Sequence, residues 1–465
     1  RNVKKSDGRM AAYNDTVLVE DASQEQRGGL VDLLLVLIVW SIMFFSFGPK
    51  DIQASFHYVP QLFTACFGGF IIIRRRLEGY RFVFPTETLL YALMGLWALT
   101  GVFVAERMTA FRAGWFRHWK LGVLLLLSIW AASSLSRLKT VVVGGIAGGL
   151  ILLVLLPMVG IGNYSNLSTG WDDRMTGATG NPNNLSRIAE LAFAAMLFAA
   201  VTAKYGWGKA LALLLALIPL WVAVKTGSRN AAVGVVTALV ATYFLYVRPM
   251  WKGRALRKSV AVLLIAGVLL GGWCYIMFYS PFEQRFESLF AFVFKGQTHE
   301  LLGSSRGRMF LGELHMTWDH PLFGVGLGQD IFELSQYSHL PAMFIHSDLA
   351  GLGGVIGLPG LLLYYSIPLV LLLRLRRIVK HPLVTEAEAK AARFCMIFAV
   401  LFLARTVHDS IYYNKAILII LGGLIGYSHQ LWATLQNAEA VEEYEWPAED
   451  GKVVPGAAWP VPRYS

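Results

Sequence analysis

Apolar residues fill long runs along this chain, and charged residues gather in the short stretches between them. About 20 consecutive apolar residues carry a helix across the hydrocarbon of a bilayer. Within lipid only helices and closed barrels satisfy their own backbone polar groups. On this pattern spans are predicted near residues 30–47, 58–73, 86–105, 121–135, 141–160 and 185–203. Others follow near 210–224, 231–247, 260–279, 349–373, 391–410 and 416–433. The fold class is thus an all-α polytopic membrane protein with about twelve transmembrane helices. The first run has bulky residues and no small-residue cleavage site before Gly48, so it is expected to stay as a signal anchor.

The polar positions orient the bundle. Arg74, Arg75, Arg76 and Arg81 fall on one side with Arg248, Lys252, Arg254, Arg257 and Lys258, and with Arg374, Arg376, Arg377 and Lys380. About 26 of the 41 Lys and Arg share that side, which the positive-inside rule makes cytoplasmic. An even number of spans then leaves a cytoplasmic tail at residues 1–28 and another at 436–465, rich in Glu and Pro, around a membrane domain at 29–435. Between the ninth and tenth spans, residues 280–345 form an outer-face loop of roughly 65 residues, long enough to be functional. In it Phe282, Phe286, Leu289, Phe290 and Phe294 recur at helical spacing, predicting an interfacial helix. A second helix is predicted from Ser304 or Ser305 to His320-Pro321, with Phe310, Leu314 and Trp318 on one apolar stripe.

Composition agrees with a bundle that is its own core. The 465 residues are 55% hydrophobic and 15% charged, with a formal net charge of +11 and a mean hydropathy of +0.52. No large soluble domain fits beside the spans, and no nucleic-acid partner is expected. Cys66, Cys274 and Cys395 sit in apolar segments as small buried hydrophobes, so neither a disulfide framework nor a thiolate metal site is indicated. His315, Asp319, His320, His339, His346 and Asp348 match no strong metal-binding spacing. No cofactor is expected. The glycines of the segment GVGLGQ, Gly324, Gly326 and Gly328, mimic a dinucleotide fingerprint, but no parallel sheet surrounds them, and a tightly packed turn accounts for them better.

The candidate chemistry lies where outer-face charges meet helix ends. Arg187 follows Asn183-Asn184, a candidate cap, and so stands in a first turn whose macrodipole is already positive. Ser228-Arg229 and Ser305-Arg306, with Arg308, repeat the arrangement, and His346 with Ser347 and Asp348 opens the tenth span. A cation at a helix N-terminus is unfavourable alone and favourable beside an anion, which the exposed N–H groups and the guanidinium then share. Simpler roles stand beside each. Lys225 ends a helix, where the dipole favours a cation; Arg285 has Glu283 or interfacial lipid as a partner, Arg187 has Glu190 one turn on, and His346 can be a structural hydrogen-bonding group. Arg405 and His408-Asp409 either orient a group or close the bundle.

The segment from Arg187 to Leu191, the segment from Ser228 to Ala231, Arg308 through HPLFGVGLGQ, and His346-Ser347 followed by Gly354, Gly357, Leu358, Pro359 and Gly360 resemble the O-antigen ligase and polymerase superfamily. The resemblance spans residues 30–432; where members often have His-Asn this chain has His346-Ser347. It implies a GT-C-like glycosyltransferase of the Gram-negative inner membrane with a periplasmic active site. The donor would be undecaprenyl diphosphate-linked O-antigen, the acceptor lipid A-core oligosaccharide, with membrane lipids as surroundings. By resemblance the transfer is inverting and metal-independent, with His346, Arg187 and Arg308 catalytic and Arg229, Lys225, Arg306 and Arg285 holding phosphate. An O-antigen polymerase and a protein O-oligosaccharyltransferase share that donor. A lipid-linked oligosaccharide flippase or anion transporter is the alternative of another class, expected to bury its charges at mid-membrane.

Overall fold

The computed structural model describes residues 33, 35–42, 59–77, 82–155, 182–226, 228–247, 305–341, 345–407 and 409–444. The span expected at 260–279, the interfacial helix around Phe282–Phe294, Arg285, Cys274 and the tail at 1–28 lie outside the described residues.

The described residues are mostly helical and contain no strand. In chain order the helices are α1 (Val59–Leu77), α2 (Thr86–Ala98, ending in a 3₁₀ turn Leu99–Phe103), α3 (Met108–Ala131) and α4 (Leu135–Leu155, with a π-helical turn Thr140–Ala147). Next come α5 (Pro182–Thr202), α6 (Gly206–Lys225), α7 (Arg229–Thr242) and α8 (Ser305–Asp319). Last are α9 (Asp330–Ser338), α10 (Gly353–Lys380, entered by a π-helical turn Asp348–Leu352), α11 (Glu386–Thr406) and α12 (Lys415–Tyr444). α12 continues past Gln436, so the carboxyl-terminal boundary expected there falls inside a helix.

Six of these segments are long and apolar enough to cross a membrane: Thr86–Phe103, Leu135–Leu155, Asn183–Thr202, Gly206–Lys225, Asp348–Lys380 and Lys415–Glu439. α6 turns Leu211, Leu213, Leu214, Leu217 and Trp221 outward. So broad an apolar surface is expensive in water and costless in lipid. α12 is the opposite case, mostly buried at the centre against α3. Gly422 and Gly426 make that approach possible, since a Cβ at Gly426 would collide with the Ile129 carbonyl; small residues let membrane helices meet backbone to backbone.

α10 is broken near its start. Gly357 has φ 74° and Pro359 follows, so the helical hydrogen-bond ladder is interrupted there. The freed carbonyls find partners elsewhere: Gly354 accepts from the Val325 N–H at 2.7 Å, Val355 from Gly326 at 2.9 Å, and Ile356 from the Trp97 indole at 3.0 Å. Gly324, Gly326 and Gly328 all have positive φ, which fits the segment to the break. Gln329 then ties it to the α2–α3 connection, donating to the Arg107 carbonyl at 2.7 Å and accepting from the Arg107 N–H at 3.2 Å. The glycine segment is a packed structural turn, as its sequence context predicts.

Candidate functional site

Two groups of polar residues meet on the short connection between α11 and α12. The first begins at Arg187, in the first turn of α5. Pro182 opens that helix, as proline does at a first helical position, so Asn183 and Asn184 lie inside the first turn instead of preceding it. The Arg187 guanidinium grips Asp409 with two N–H groups, Nε at 2.7 Å to Oδ2 and a second to Oδ1. Its third nitrogen donates to Asn184 Oδ1 at 3.4 Å. Arg405 Nε reaches the same Asp409 Oδ2 at 3.1 Å, and Arg405 also donates to Glu190. The pairing between Arg187 and Glu190 considered from the sequence is therefore replaced. Glu190 serves Arg405, and Arg187 takes a carboxylate from another helix.

This chain of two guanidiniums and two carboxylates is nearly dry. Arg405, Glu190 and Asp409 are 6% exposed or less, and Arg187 is 22% exposed. Burial alone would raise the Asp409 carboxyl; Arg187 and Arg405 outweigh it and hold Asp409 below the usual carboxylate range. A cavity of about 20 Å³ beside Glu190 and Arg405 has room for one water, and one Arg405 amino group has no partner among the described residues. The anion demanded by a cation at this helix terminus is thus supplied from within the chain.

The second group holds His346, whose side chain is exposed. Beneath it, three consecutive backbone N–H groups are taken by buried carboxylates: Ile345 by Asp330 of α9, and His346 and Ser347 by Glu313 of α8. Ser347 caps the following turn, accepting from Ala350 N–H at 3.1 Å, and its hydroxyl donates to the Val407 carbonyl at 2.8 Å. Asp348 accepts from the N–H groups of Ile411 and Tyr412, each at 3.0 Å, from Tyr364 at 2.8 Å and from Ser410 at 2.9 Å. Ser347 and Asp348 thereby fasten the His346 turn to the connection that carries Asp409. Glu313 is 0% exposed, one of its oxygens has no partner among the described residues, and burial pushes its carboxyl up to about 8 against the pull of the His346 and Ser347 N–H groups.

The other expected site residues are less closely drawn in. Lys225 is the last residue of α6 and is exposed. Arg229 is the first residue of α7, whose Gly234 lies against the Glu190 carboxylate; Ser228 precedes it without a side-chain cap bond. Arg306 is at the start of α8, and the side chains of Arg229 and Arg306 lie outside the described residues. Arg308 is exposed on α8, about 7 Å along the axis from Glu313 and on another face. The stripe of Phe310, Leu314 and Trp318 faces outward, while Met309, Glu313 and Met316 form the buried face. Glu313 was visible in the sequence as an acid at i+4 from Met309 and three before Met316. Among the described residues no group of three or more His, Cys, Asp or Glu is placed to hold a metal ion.

Sequence reading also passed over a basic cluster on the other side of the same connection. Arg117, exposed on α3, lies 4.1 Å over the ring of Tyr413; Lys120 is exposed one turn further along α3, and half-buried Lys415 heads α12.

Comparison with known proteins places this arrangement in a family context. Residues 210–365 match the family model described as O-antigen ligase. The resemblance to that superfamily therefore extends from short motifs to a continuous segment carrying Lys225, Arg229, Arg308 and His346. A teichuronic acid biosynthesis protein, TuaE of Bacillus subtilis (strain 168), is 25% identical over 202 residues, 41% of this chain and 40% of that protein. The match thus spans less than half of either chain. A chain from a solved peptidoglycan synthase complex superposes with a TM-score of 0.41 at 17% identity, over 74% of this chain and 96% of that one.

Proposed function

We propose that this protein is an O-antigen ligase-type glycosyltransferase, moving a glycan from undecaprenyl diphosphate to a hydroxyl of lipid A-core oligosaccharide at the periplasmic face of the inner membrane. The observation that carries the reading is the shared anchorage of Arg187 and His346. Two motifs far apart in the chain are bonded to one connection, Arg187 through Asp409 and His346 through Ser347 and Asp348. A site for group transfer needs its charge-stabilising and proton-accepting groups fixed relative to each other.

In this reading the acceptor hydroxyl oxygen attacks the anomeric carbon as the bond to the diphosphate breaks. The electron pair leaves with the diphosphate, the hydroxyl proton passes to the exposed His346 imidazole, and a single displacement inverts the anomeric centre. Arg187 and Arg308 stabilise the charge of the departing diphosphate; Lys225, Arg229, Arg306 and Arg285 gather the phosphates. Because Asp409 already compensates Arg187, this arginine acts through its exposed edge while Asp409 fixes its plane.

A second reading has its own support. Transfer to another lipid-linked glycan shares the donor, and the relative is named for the biosynthesis of a polymer other than O-antigen. The test is full-length protein in proteoliposomes with undecaprenyl diphosphate-linked glycan, offered lipid A-core or a second lipid-linked glycan. Ligase activity predicts product on lipid A-core, undiminished by EDTA. Product on the lipid-linked acceptor alone would replace the ligase by a polymerase.

A further inference from the structure

We propose that the outward face of α8, carrying Phe310, Leu314 and Trp318, is a lipid-docking surface that lays this helix in the membrane interface on the His346 side. α8 has 15 residues and is not among the spanning segments. It is too short to cross a bilayer.

With each residue turning the helix by about 100°, its side chains divide into three sectors. Met309, Gly312, Glu313 and Met316 lie within about 100° of one another and are buried. Phe310, Leu314 and Trp318 lie within about 80° and are exposed, Trp318 by 84%. Arg308, His315 and Asp319 lie within about 40° and are exposed and polar. A helix between a protein core and water needs only two sectors, one apolar and buried, one polar. The third is explained by an apolar neighbour outside the fold.

The chain leaving α8 identifies that neighbour. The Pro321 carbonyl accepts from the Leu358 N–H of α10 at 2.7 Å, and Phe323 stacks on Trp97 of α2 with ring centroids 5.8 Å apart. Leu358 and Trp97 both belong to segments long and apolar enough to cross a membrane. Trp97 stands about 9 Å along the helix inside the end of its segment at Phe103. Leu322 and Phe323 are exposed there, as are Leu358 and Leu362 of α10. The carboxyl end of α8 is therefore held among the spans, beside side chains that face lipid. A specific protein partner would need about 20–30 residues of surface, whereas a sector three side chains long suits acyl chains. Tryptophan, at the end of that sector, is enriched where membrane meets water. α8 thus lies where protein, lipid and water meet, with Arg308 on the water side at the level of the headgroups. That level is where the function proposed above needs a lipid-linked diphosphate, but α8 docks whether or not Arg308 serves transfer.

Spin-label accessibility tests the surface without transfer activity. Full-length protein in phosphatidylcholine nanodiscs, with Cys66, Cys274 and Cys395 replaced by Ala, carries one label at a time through Phe310→Cys, Leu314→Cys or Trp318→Cys. His315→Cys and Asp319→Cys supply the water-facing comparison. At the three apolar positions oxygen should relax the label more than a water-soluble nickel chelate does, at a depth of about 5–10 Å. At the two polar positions the order should reverse. Chelate access equal at all five positions overturns the proposal. Low access by both reagents at the apolar positions overturns it too, because a second copy or another protein segment would then cover the face. Photolabelling of the wild type by a phosphatidylcholine with an acyl-chain diazirine gives a second measurement without substitutions. Adducts should form at Leu314 or Trp318 as well as at outward-facing Leu213 and Leu214 of α6. Adducts on α6 with none on α8 would contradict the docking.

Discussion

Glu313 shows how much a single side chain decides here. It sits on the buried face of α8, accepts the N–H of the residue proposed to take the proton, and stays protonated well above the ordinary carboxylate range because burial penalises its charge. A carboxyl raised from 4.5 to about 8 contributes stability that is whole below the lower value and is lost as pH rises through the upper one. Glu313→Gln mimics the neutral form. Its melting temperature should therefore be flat between about pH 5 and pH 8, where the wild type declines; parallel slopes in a fluorimetric scan would refute this. Asp409 has the opposite sign. Its depressed carboxyl stabilises above the ordinary 3.8, and the contribution is lost as pH falls below that. Asp409→Asn leaves Arg187 without its carboxylate and removes one of Arg405's two, and should cost about 3 kcal/mol in a denaturant titration. Less than a third of that cost would show that water replaces the pairing freely.

Among the elements, α10 carries the most information per residue. Its break at Gly357 presents carbonyls to the glycine turn, and a Cβ at Gly357 would collide with the Leu322 carbonyl in addition to straining a positive φ. Gly357→Ala should destabilise by at least about 1–3 kcal/mol, read as a lowered melting temperature; an unchanged one would mean that the break is not fixed by this contact. The glycines at 324, 326 and 328 were legible because a turn with no sheet around it leaves few other uses for them. The opening of the tenth span at Ser347 was legible for a similar reason, since a serine before an apolar run is a local signal. The partner of Arg187 was not. Asp409 lies 222 residues further along, and no local pattern distinguishes it from Glu190 one turn away. The stripe of Phe310, Leu314 and Trp318 on α8 was legible from its spacing, but not which face packs: the larger apolar residues point outward, and the face with an acid at its centre packs inward. In a membrane protein size and hydrophobicity no longer identify the core, because lipid accepts both.

At the scale of the whole molecule, charge organises the end of the bundle that carries His346. Arg187 and Arg405 are compensated inside the chain by Asp409 and Glu190. Seven residues, Arg187 and His346 among them, were read from the sequence as serving one anion; the structure instead separates a neutralised scaffold, Arg187 and Arg405 with Asp409 and Glu190, from exposed cations such as Arg308 and Lys225. That division bears on the transporter alternative. The cations gather at one end by the connection between α11 and α12, which suits a reaction at the membrane face better than passage through it. The account as a whole rests on His346 serving chemistry on that scaffold. Its most direct measurement is glycan transfer from undecaprenyl diphosphate in proteoliposomes by the wild type and by His346→Ala, with equal amounts of folded protein in the membrane. Transfer should fall by at least about 100-fold in the variant. Transfer at the wild-type rate would contradict the account.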